Sequence, residues 1–160
     1  MLFRSEPAFA QRAKDFSAKV KDLTEFLVSN WPGLQSAIRH PSSAVKVTYH
    51  DACHLAHAQR ITKPPRELVK AVAGKNFVEL PEADVCCGSA GTYNLTEPEM
   101  AVRLQRRKTE NILRTNADVV VTSNPGCLLQ IQAGLKKAGR ADIEVLHIAD
   151  YLARSLKSPQ

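Results

Sequence analysis

Segments with strand character alternate with segments of helical periodicity along most of this 160-residue chain. The clearest strand candidate is residues 117–122, whose consecutive valines are typical of a parallel strand buried on both faces. Alternating strands and helices pack as a mostly parallel sheet with helices on its faces. The sequence therefore predicts a single three-layer α/β domain with a mostly parallel four-stranded sheet. The other predicted strands are 45–49, 77–80 and 143–146, and the predicted helices of this part are 65–73, 97–114, 127–138 and 149–156.

An amphipathic segment precedes the first predicted strand. Between residues 8 and 30, apolar side chains recur at alternating steps of four and three, which indicates one helix with an apolar stripe. We expect that stripe to be buried, either in this domain or against a preceding one. The chain is accordingly divided into an amphipathic helical segment, 1–40, and a cysteine-rich α/β domain, 41–160. The stripe consists of Phe9, Ala13, Phe16, Val20, Leu23 and Leu27.

The predicted helix 97–114 carries the main concentration of basic residues in a chain whose net charge is +6. Thr96 and Glu99 are spaced as a capping box, and Pro98 is tolerated in a first helical turn. Because acidic residues share this helix and no aromatic residue is interleaved, a solvated face is favoured over nucleic-acid binding. Docking to an acidic protein surface is the other alternative. The basic residues are Arg103, Arg106, Arg107, Lys108 and Arg114.

Four cysteines occupy three places in the chain: Cys53, the adjacent pair Cys86 and Cys87, and Cys127. Each place follows a predicted strand, and in open parallel sheets the binding sites form beyond the carboxyl ends of strands. Thiolates gathered from separate turns suit a thiophilic centre, either zinc or an iron–sulfur cluster. Two structural disulfides are an alternative. A dithiol redox site ranks below both metals because the chain has no Cys-x-x-Cys.

The residues that follow the cysteine pair favour a cluster over a bare zinc ion. Gly88, Ser89 and Gly91 leave the backbone open, so that a bulky inorganic cluster can approach and backbone N–H groups can reach its sulfides. Zinc usually takes cysteines in pairs roughly two to four residues apart, and no pair here is so spaced. We therefore expect cofactor contacts from this loop, with Tyr93 either donating to the cluster or capping the next helix.

Three segments carry a resemblance to a known family: residues 51–54 (DACH), 86–93 (CCGSAGTY) and 124–127 (NPGC). They resemble the cysteine-rich, or CCG, domain found in heterodisulfide reductases and in iron–sulfur subunits of 2-hydroxyacid oxidases, the glycolate oxidase type above all. The resemblance implies an oxidoreductase subunit that relays electrons towards quinone from a flavoprotein, which oxidises glycolate to glyoxylate. Full-length members carry further iron–sulfur domains, so this chain is expected to be one part of such a subunit, without catalytic residues of its own. An iron–sulfur subunit for lactate or another 2-hydroxyacid, and a zinc-stabilised assembly domain, are the alternatives.

The resemblance also bears on the ligand set. The family pattern ends in Cys-x-x-Cys, whereas here Asn124 stands at its first position and only Cys127 remains. The five-cysteine cofactor of heterodisulfide reductase-like domains therefore does not carry over, and four cysteines match an ordinary 4Fe-4S cluster in number. His54 and His57 are candidate ligands or hydrogen-bond donors, with loop histidines bonded to the backbone as the favoured alternative. Two histidines near strand ends could border the same pocket: His50 and His147.

The sequence also sets expectations about location and partners. No stretch approaches the roughly 18 apolar residues of a membrane helix, and residues 1–15 contain charged side chains instead of a signal-peptide core. We expect a cytoplasmic protein, in which cysteines stay reduced and serve metals or catalysis, with peripheral association at the inner face of a membrane as the alternative. The expected partners are the flavoprotein subunit and the remaining iron–sulfur domains, and not nucleic acid. A metal-free docking module, whose basic helix contacts a partner, is a third hypothesis.

Overall fold

The computed structural model of the chain describes residues 6–39 and 45–156, and at its centre lies a three-stranded parallel sheet. The strands pair in the order β1-β2-β3. Their register places His50, Thr122 and His147 side by side, so the three strands end level with one another. The bounds are Val47–His50 for β1, Val119–Thr122 for β2 and Glu144–His147 for β3.

The prediction of four strands is wrong, because residues 77–80 make only an isolated parallel bridge from Phe77 to Val47. The Val78 N–H donates to the Val47 carbonyl at 2.9 Å. The Val78 carbonyl, however, accepts from the Thr48 hydroxyl at 2.8 Å. In a longer parallel strand, the Val78 carbonyl would accept from a backbone N–H of β1. Here it accepts from a side chain, and the pairing does not extend into a strand.

The amphipathic segment at the N-terminus forms two helices instead of the one predicted: α1, Pro7–Lys19, and α2, Leu23–Ser29. The break comes at Asp22, whose carboxylate accepts from the Thr24 N–H at 2.8 Å while the Glu25 carboxylate accepts from the Asp22 N–H at 3.1 Å. This capping box starts a new helix inside the apolar stripe. The stripe packs against the core at Leu27, but α1 buries none of its residues and its Phe16 is 69% exposed. A short helix, α3, follows at Trp31–Leu34.

Helices cover both faces of the sheet, which confirms the α/β architecture with flanking helices. Successive residues of β2 point to opposite faces: Val119 and Val121 belong to one core cluster, and Val120 belongs to the other. The unbroken valine run therefore reflects burial on both sides. The first face is covered by α4 (Lys63–Ala73) and α8 (Ile148–Arg154), and the second by α6 (Pro98–Thr115) and α7 (Pro125–Lys137).

The predicted helices of the α/β part are confirmed as α4, α6, α7 and α8, with small shifts of their ends. The capping box predicted for α6 is wrong, because Thr96 closes a separate one-turn helix, α5, Tyr93–Thr96. Glu97 then has φ −129° and ψ 59°, since the residue before a proline is disfavoured in helical conformation. Consequently α6 begins at Pro98 without a side-chain cap. None of the described helices is long and apolar enough to cross a bilayer.

Candidate metal centre

The structure distributes the four cysteines over three loops and helix starts. Cys53 follows β1, Cys127 lies in the first turn of α7 beyond β2, and the Cys86–Cys87 pair lies in the connection before α5. Cys87 and Cys127 are only 1% and 3% exposed, whereas Cys53 and Cys86 are half-buried. All four carry free thiols, so the disulfide alternative does not describe this structure.

Three side chains of types that can bind metal meet in one buried place. His50, Cys87 and Cys127 each offer a ligand atom, and these atoms lie within 4.8 Å of one another. His50 is the last residue of β1, and both cysteines belong to the core cluster beneath α6 and α7. One nitrogen and two sulfurs form a donor set that both zinc and iron accept. We call this group the His50 triad.

The charges of the four thiols influence one another. The hydrogen bond between Cys127 and Cys87 raises the pKa of Cys127, and burial and the neighbouring Cys87, Cys53 and Cys86 raise it further. The same hydrogen bond lowers the pKa of Cys87 against the opposing effect of burial, helped by a hydrogen bond from His50. The contact therefore favours the charged form at Cys87 over the charged form at Cys127.

Asn124 organises the start of α7 and does not point to a missing ligand. Its Oδ1 accepts from the Cys127 N–H at 3.0 Å, which makes it the N-cap of the helix. Its Nδ2 lies 3.2 Å from His54 Nδ1 and hydrogen-bonds that ring. Capping holds Cys127 in the first turn of the 13-residue helix α7. The sequence reading missed this role, although Asn followed by Pro is a typical helix start.

The glycine loop after the cysteine pair has a packing function of its own. Gly88 has φ +94°, and a Cβ at this position would lie 2.4 Å from the Ala101 carbonyl oxygen of α6. Its N–H donates to Cys86 Sγ at 3.3 Å. Gly91 also has positive φ, +57°, but space around it is open. The loop therefore needs glycine at position 88 to approach α6 while it directs an N–H at a cysteine sulfur.

The two other residues predicted from this loop lie at helix starts. Ser89 contacts the beginning of α7, because a Cβ at Gly126 would be 3.0 Å from the Ser89 hydroxyl oxygen. Tyr93 is half-buried and opens α5, where its N–H donates to the Ala90 carbonyl at 2.9 Å. Both contacts hold the loop in place between α5 and α7.

The other predicted histidines lie outside the His50 triad. His57 Nε2 hydrogen-bonds the Asp84 carbonyl at 2.9 Å, as the favoured alternative expected of a loop histidine. His147 Nδ1 accepts from the Ala149 N–H at 3.3 Å and caps α8. His54 is exposed and bonded to Asn124. Among the described residues, the structure therefore brings only His50 into one group with two cysteines.

A buried lysine fixes the chain just before the cysteine pair. Lys108 is 2% exposed, and its ammonium donates to the carbonyls of Glu82 and Ala83. The Glu82 carboxylate in turn accepts from Arg107 Nε and Asn111 Nδ2, both at 2.8 Å. The prediction of a solvated face is therefore wrong at Lys108. Sequence reasoning missed this network because its acceptors are carbonyls of a distant loop.

A second contact joins the loops that carry Cys53 and Cys86. The Asp51 N–H donates to the Ala83 carbonyl at 3.1 Å, and the Asp51 carboxylate pairs with Arg66 at 2.5 Å. The segment that follows β1 is thus tied both to the loop before the cysteine pair and to α4.

Comparison with known proteins agrees with the cysteine arrangement. The family model described as "Cysteine-rich domain" (CCG) matches residues 47–132, which include all four cysteines. The chain is 37% identical over 153 residues to "Probable glycolate oxidase iron-sulfur subunit" of Bacillus subtilis, covering 94% of this chain and 34% of that protein. It is 31% identical over 153 residues to "Lactate utilization protein A" of Oceanobacillus iheyensis, covering 94% and 60%.

A third relative is a fumarate reductase (CoM/CoB) subunit of Methanothermobacter marburgensis, which is 36% identical over 133 residues, covering 83% of this chain and 26% of that protein. The chain thus spans between about a quarter and three fifths of the length of these relatives. The resemblance seen in the three cysteine segments is confirmed. The chain belongs to the cysteine-rich (CCG) domain family.

Proposed function

We propose that this chain holds an iron–sulfur cluster and relays electrons in a complex that oxidises a 2-hydroxyacid, with glycolate as the substrate. The observation that carries the proposal is the convergence of buried Cys87 and Cys127 with His50, whose ligand atoms lie within 4.8 Å of one another. Such a sulfur-rich, water-excluded site suits a thiophilic redox centre. The names of two relatives, a probable glycolate oxidase iron–sulfur subunit and a fumarate reductase subunit, support a role in an oxidoreductase.

The proposed ligands are Cys53, Cys86, Cys87 and Cys127, and the proposed cofactor is a 4Fe-4S cluster. When bound, the cluster supplies one-electron transfer at a potential set by its surroundings. This chain contributes the burial of two of the ligands and the Gly88 N–H directed at Cys86 sulfur. Hydrogen bonds to the ligand sulfurs and exclusion of water are the means by which a protein adjusts such a potential.

Substrate oxidation is assigned to a flavoprotein partner, and the chain itself is given no catalytic residue. The electrons then pass through this domain and the remaining iron–sulfur domains of the full-length subunit towards a quinone. We place the complex in the cytoplasm, associated peripherally with the membrane that holds the quinone. Reduced cysteines are the usual state in that compartment.

Metal and sulfide analysis of the anaerobically purified chain tests the cofactor. We expect about four iron and four sulfide per chain, with an electron paramagnetic resonance signal on reduction. Zinc without sulfide would contradict the relay and support the zinc-stabilised assembly domain.

Substitution of the cysteine pair tests the ligands. Cys86→Ser and Cys87→Ser should each abolish the native iron–sulfur signal, because serine does not replace a soft thiolate ligand. His57→Ala serves as the control, since His57 bonds only a loop carbonyl in the described contacts. Unchanged electron transfer in both cysteine variants would favour the metal-free docking module instead.

Lactate is the second candidate substrate, because several relatives are named lactate utilization protein A and match 94% of this chain over about 60% of their own length. The two substrates are separated by adding glycolate or lactate to anaerobic extract of cells that contain the full-length subunit and its flavoprotein. Glycolate should reduce the cluster and produce its resonance signal. Reduction of the cluster by lactate and not by glycolate would show that the complex oxidises lactate instead.

A further inference from the structure

His50 is a buried side chain of this site, of a type that can bind metal, whose hydrogen bonding is incomplete. It is 1% exposed, and its Nδ1 atom has no hydrogen-bond partner among the residues that the structure describes. A ligand atom of the imidazole lies within 4.8 Å of the sulfurs of Cys87 and Cys127. A buried ring nitrogen without a partner is unfavourable, and such an atom beside two thiols is expected to meet a group that completes its bonding.

Two polar side chains close to Cys53 and Cys127 in the chain are already occupied, whereas the Thr122 hydroxyl beside His50 is buried without a partner among the described residues. Both polar atoms of the Asn124 amide are used, one by the Cys127 N–H and one by His54. His57 is bonded to a loop carbonyl. Asn124, which stands where the family pattern has a cysteine, is therefore not available as a ligand, whereas His50 is.

The position of His50 is fixed by the sheet. In β1 it pairs with Thr122 of β2, two residues beyond Val120, so its side chain lies on the same face as the core cluster that contains Cys87 and Cys127. Metal–ligand bonds of about 2.0–2.3 Å place the ligands of one tetrahedral ion roughly 3.5 Å apart. The ligand atoms of the triad lie within 4.8 Å of one another, so shifts on the order of an ångström let all three bind the same metal centre.

We propose that His50 is a nitrogen ligand of the metal centre, where it joins Cys87 and Cys127 in place of one of the two half-buried cysteines, Cys53 or Cys86. The inference rests on the proposed metal centre and specifies its ligand set. Imidazole replaces thiolate in some iron–sulfur centres, and because it is neutral it raises the reduction potential. The centre of this chain would then be a mixed nitrogen and sulfur site.

The direct test needs no variant that might fail to fold. The full chain is purified anaerobically with and without ¹⁵N-labelled histidine, its centre is reduced, and pulsed electron paramagnetic resonance measures the nuclear couplings. We expect a directly bonded nitrogen that changes from ¹⁴N to ¹⁵N character with the label. Iron and sulfide without a strongly coupled histidine nitrogen would overturn the ligand assignment and leave the proposed cluster intact.

Variants identify which histidine is responsible. The nitrogen coupling should disappear in His50→Ala, which should also bind metal about 100-fold or more weakly, since loss of even an outer hydrogen-bond partner weakens binding by about 10–100-fold. His50→Cys should retain the metal without the coupling, because it supplies a thiolate in the same place. His54→Ala, the control, should retain the coupling. Persistence of the coupling in His50→Cys would refute the assignment.

If the purified chain contains zinc and no sulfide, the proposed cluster is refuted, but the role of His50 as a ligand can still be tested. In that case, X-ray absorption at the zinc edge should show an imidazole ligand that is lost in His50→Cys and kept in His54→Ala. A zinc site with sulfur ligands alone would overturn the role of His50 as well.

Discussion

Replacement of Gly88 by alanine should destabilise the chain far more than the same change at Gly91. Both glycines have positive φ, which costs an alanine about 1–2 kcal/mol. Only Gly88 has a close neighbour, because the added Cβ would lie 2.4 Å from the Ala101 carbonyl oxygen. That oxygen belongs to the backbone of α6 and cannot move away cheaply, and overpacking of this kind costs about 1–3 kcal/mol more. We therefore expect losses of about 2–5 kcal/mol for Gly88→Ala and about 1–2 kcal/mol for Gly91→Ala.

Urea denaturation of both variants in the same metal state, followed by circular dichroism, measures the two free energies of unfolding. The difference between the two free energies measures mainly the contact of residue 88 with α6, because both variants place an alanine at a positive φ. Gly88→Ala should also weaken metal binding, because the Gly88 N–H that reaches Cys86 moves with the loop. Equal destabilisation by the two variants would show that the close approach to α6 does not constrain this loop.

Three other predictions concern the surroundings of the site. Asn124→Ala removes the N-cap of α7 and should lower the free energy of unfolding by about 1 kcal/mol in urea; no loss would exclude the capping role. Lys108→Met should cost about 2 kcal/mol, because the ammonium's hydrogen bonds to two loop carbonyls disappear, while exposed Lys136→Met should cost little. Hydrogen bonds from Arg107, the larger effect, and from Asn111 lower the pKa of Glu82 to about 2. The ionised Glu82 carboxylate therefore stabilises the fold fully above the pKa of about 4.3 that a glutamate has in the unfolded chain, and this stabilisation is lost as the pH falls towards 2. Glu82→Gln should reduce this part of the acid dependence in denaturation curves between those values, and an unchanged acid profile would count against the ion pair.

The sequence predicts the elements whose signals are local. The valine run of β2 and the helical periodicity of α6 and α7 need no knowledge of partners, and these elements are found nearly where they are expected. The prediction of a strand at 77–80 is wrong because strand pairing depends on contacts distant in sequence, here the hydrogen bond from the Thr48 hydroxyl to the Val78 carbonyl. The helix break at Asp22 had a local signal in Asp22 and Glu25, but the apolar stripe continues across it and obscures the break.

The site is predictable in part for the same reason. Cysteine spacing and strand order indicate which residues can converge. The orientation of His50 into the cysteine cluster depends on sheet register, and the burial of Lys108 depends on a loop 26 residues away in sequence. Neither is encoded within a few residues of the side chain concerned.

The contacts of Asp51 and Lys108 with the carbonyls of the loop at Glu82 and Ala83 have a thermodynamic consequence. Ordering the backbone of one residue costs about 1–2 kcal/mol of conformational entropy. Because these contacts order the loops that carry the cysteines, we expect that entropy to be lost when the chain folds and not when metal binds. A zinc finger, by contrast, orders its ligands only when the ion arrives. We expect little change in amide hydrogen exchange in these loops when metal is removed. Metal binding then adds to an existing fold instead of creating it.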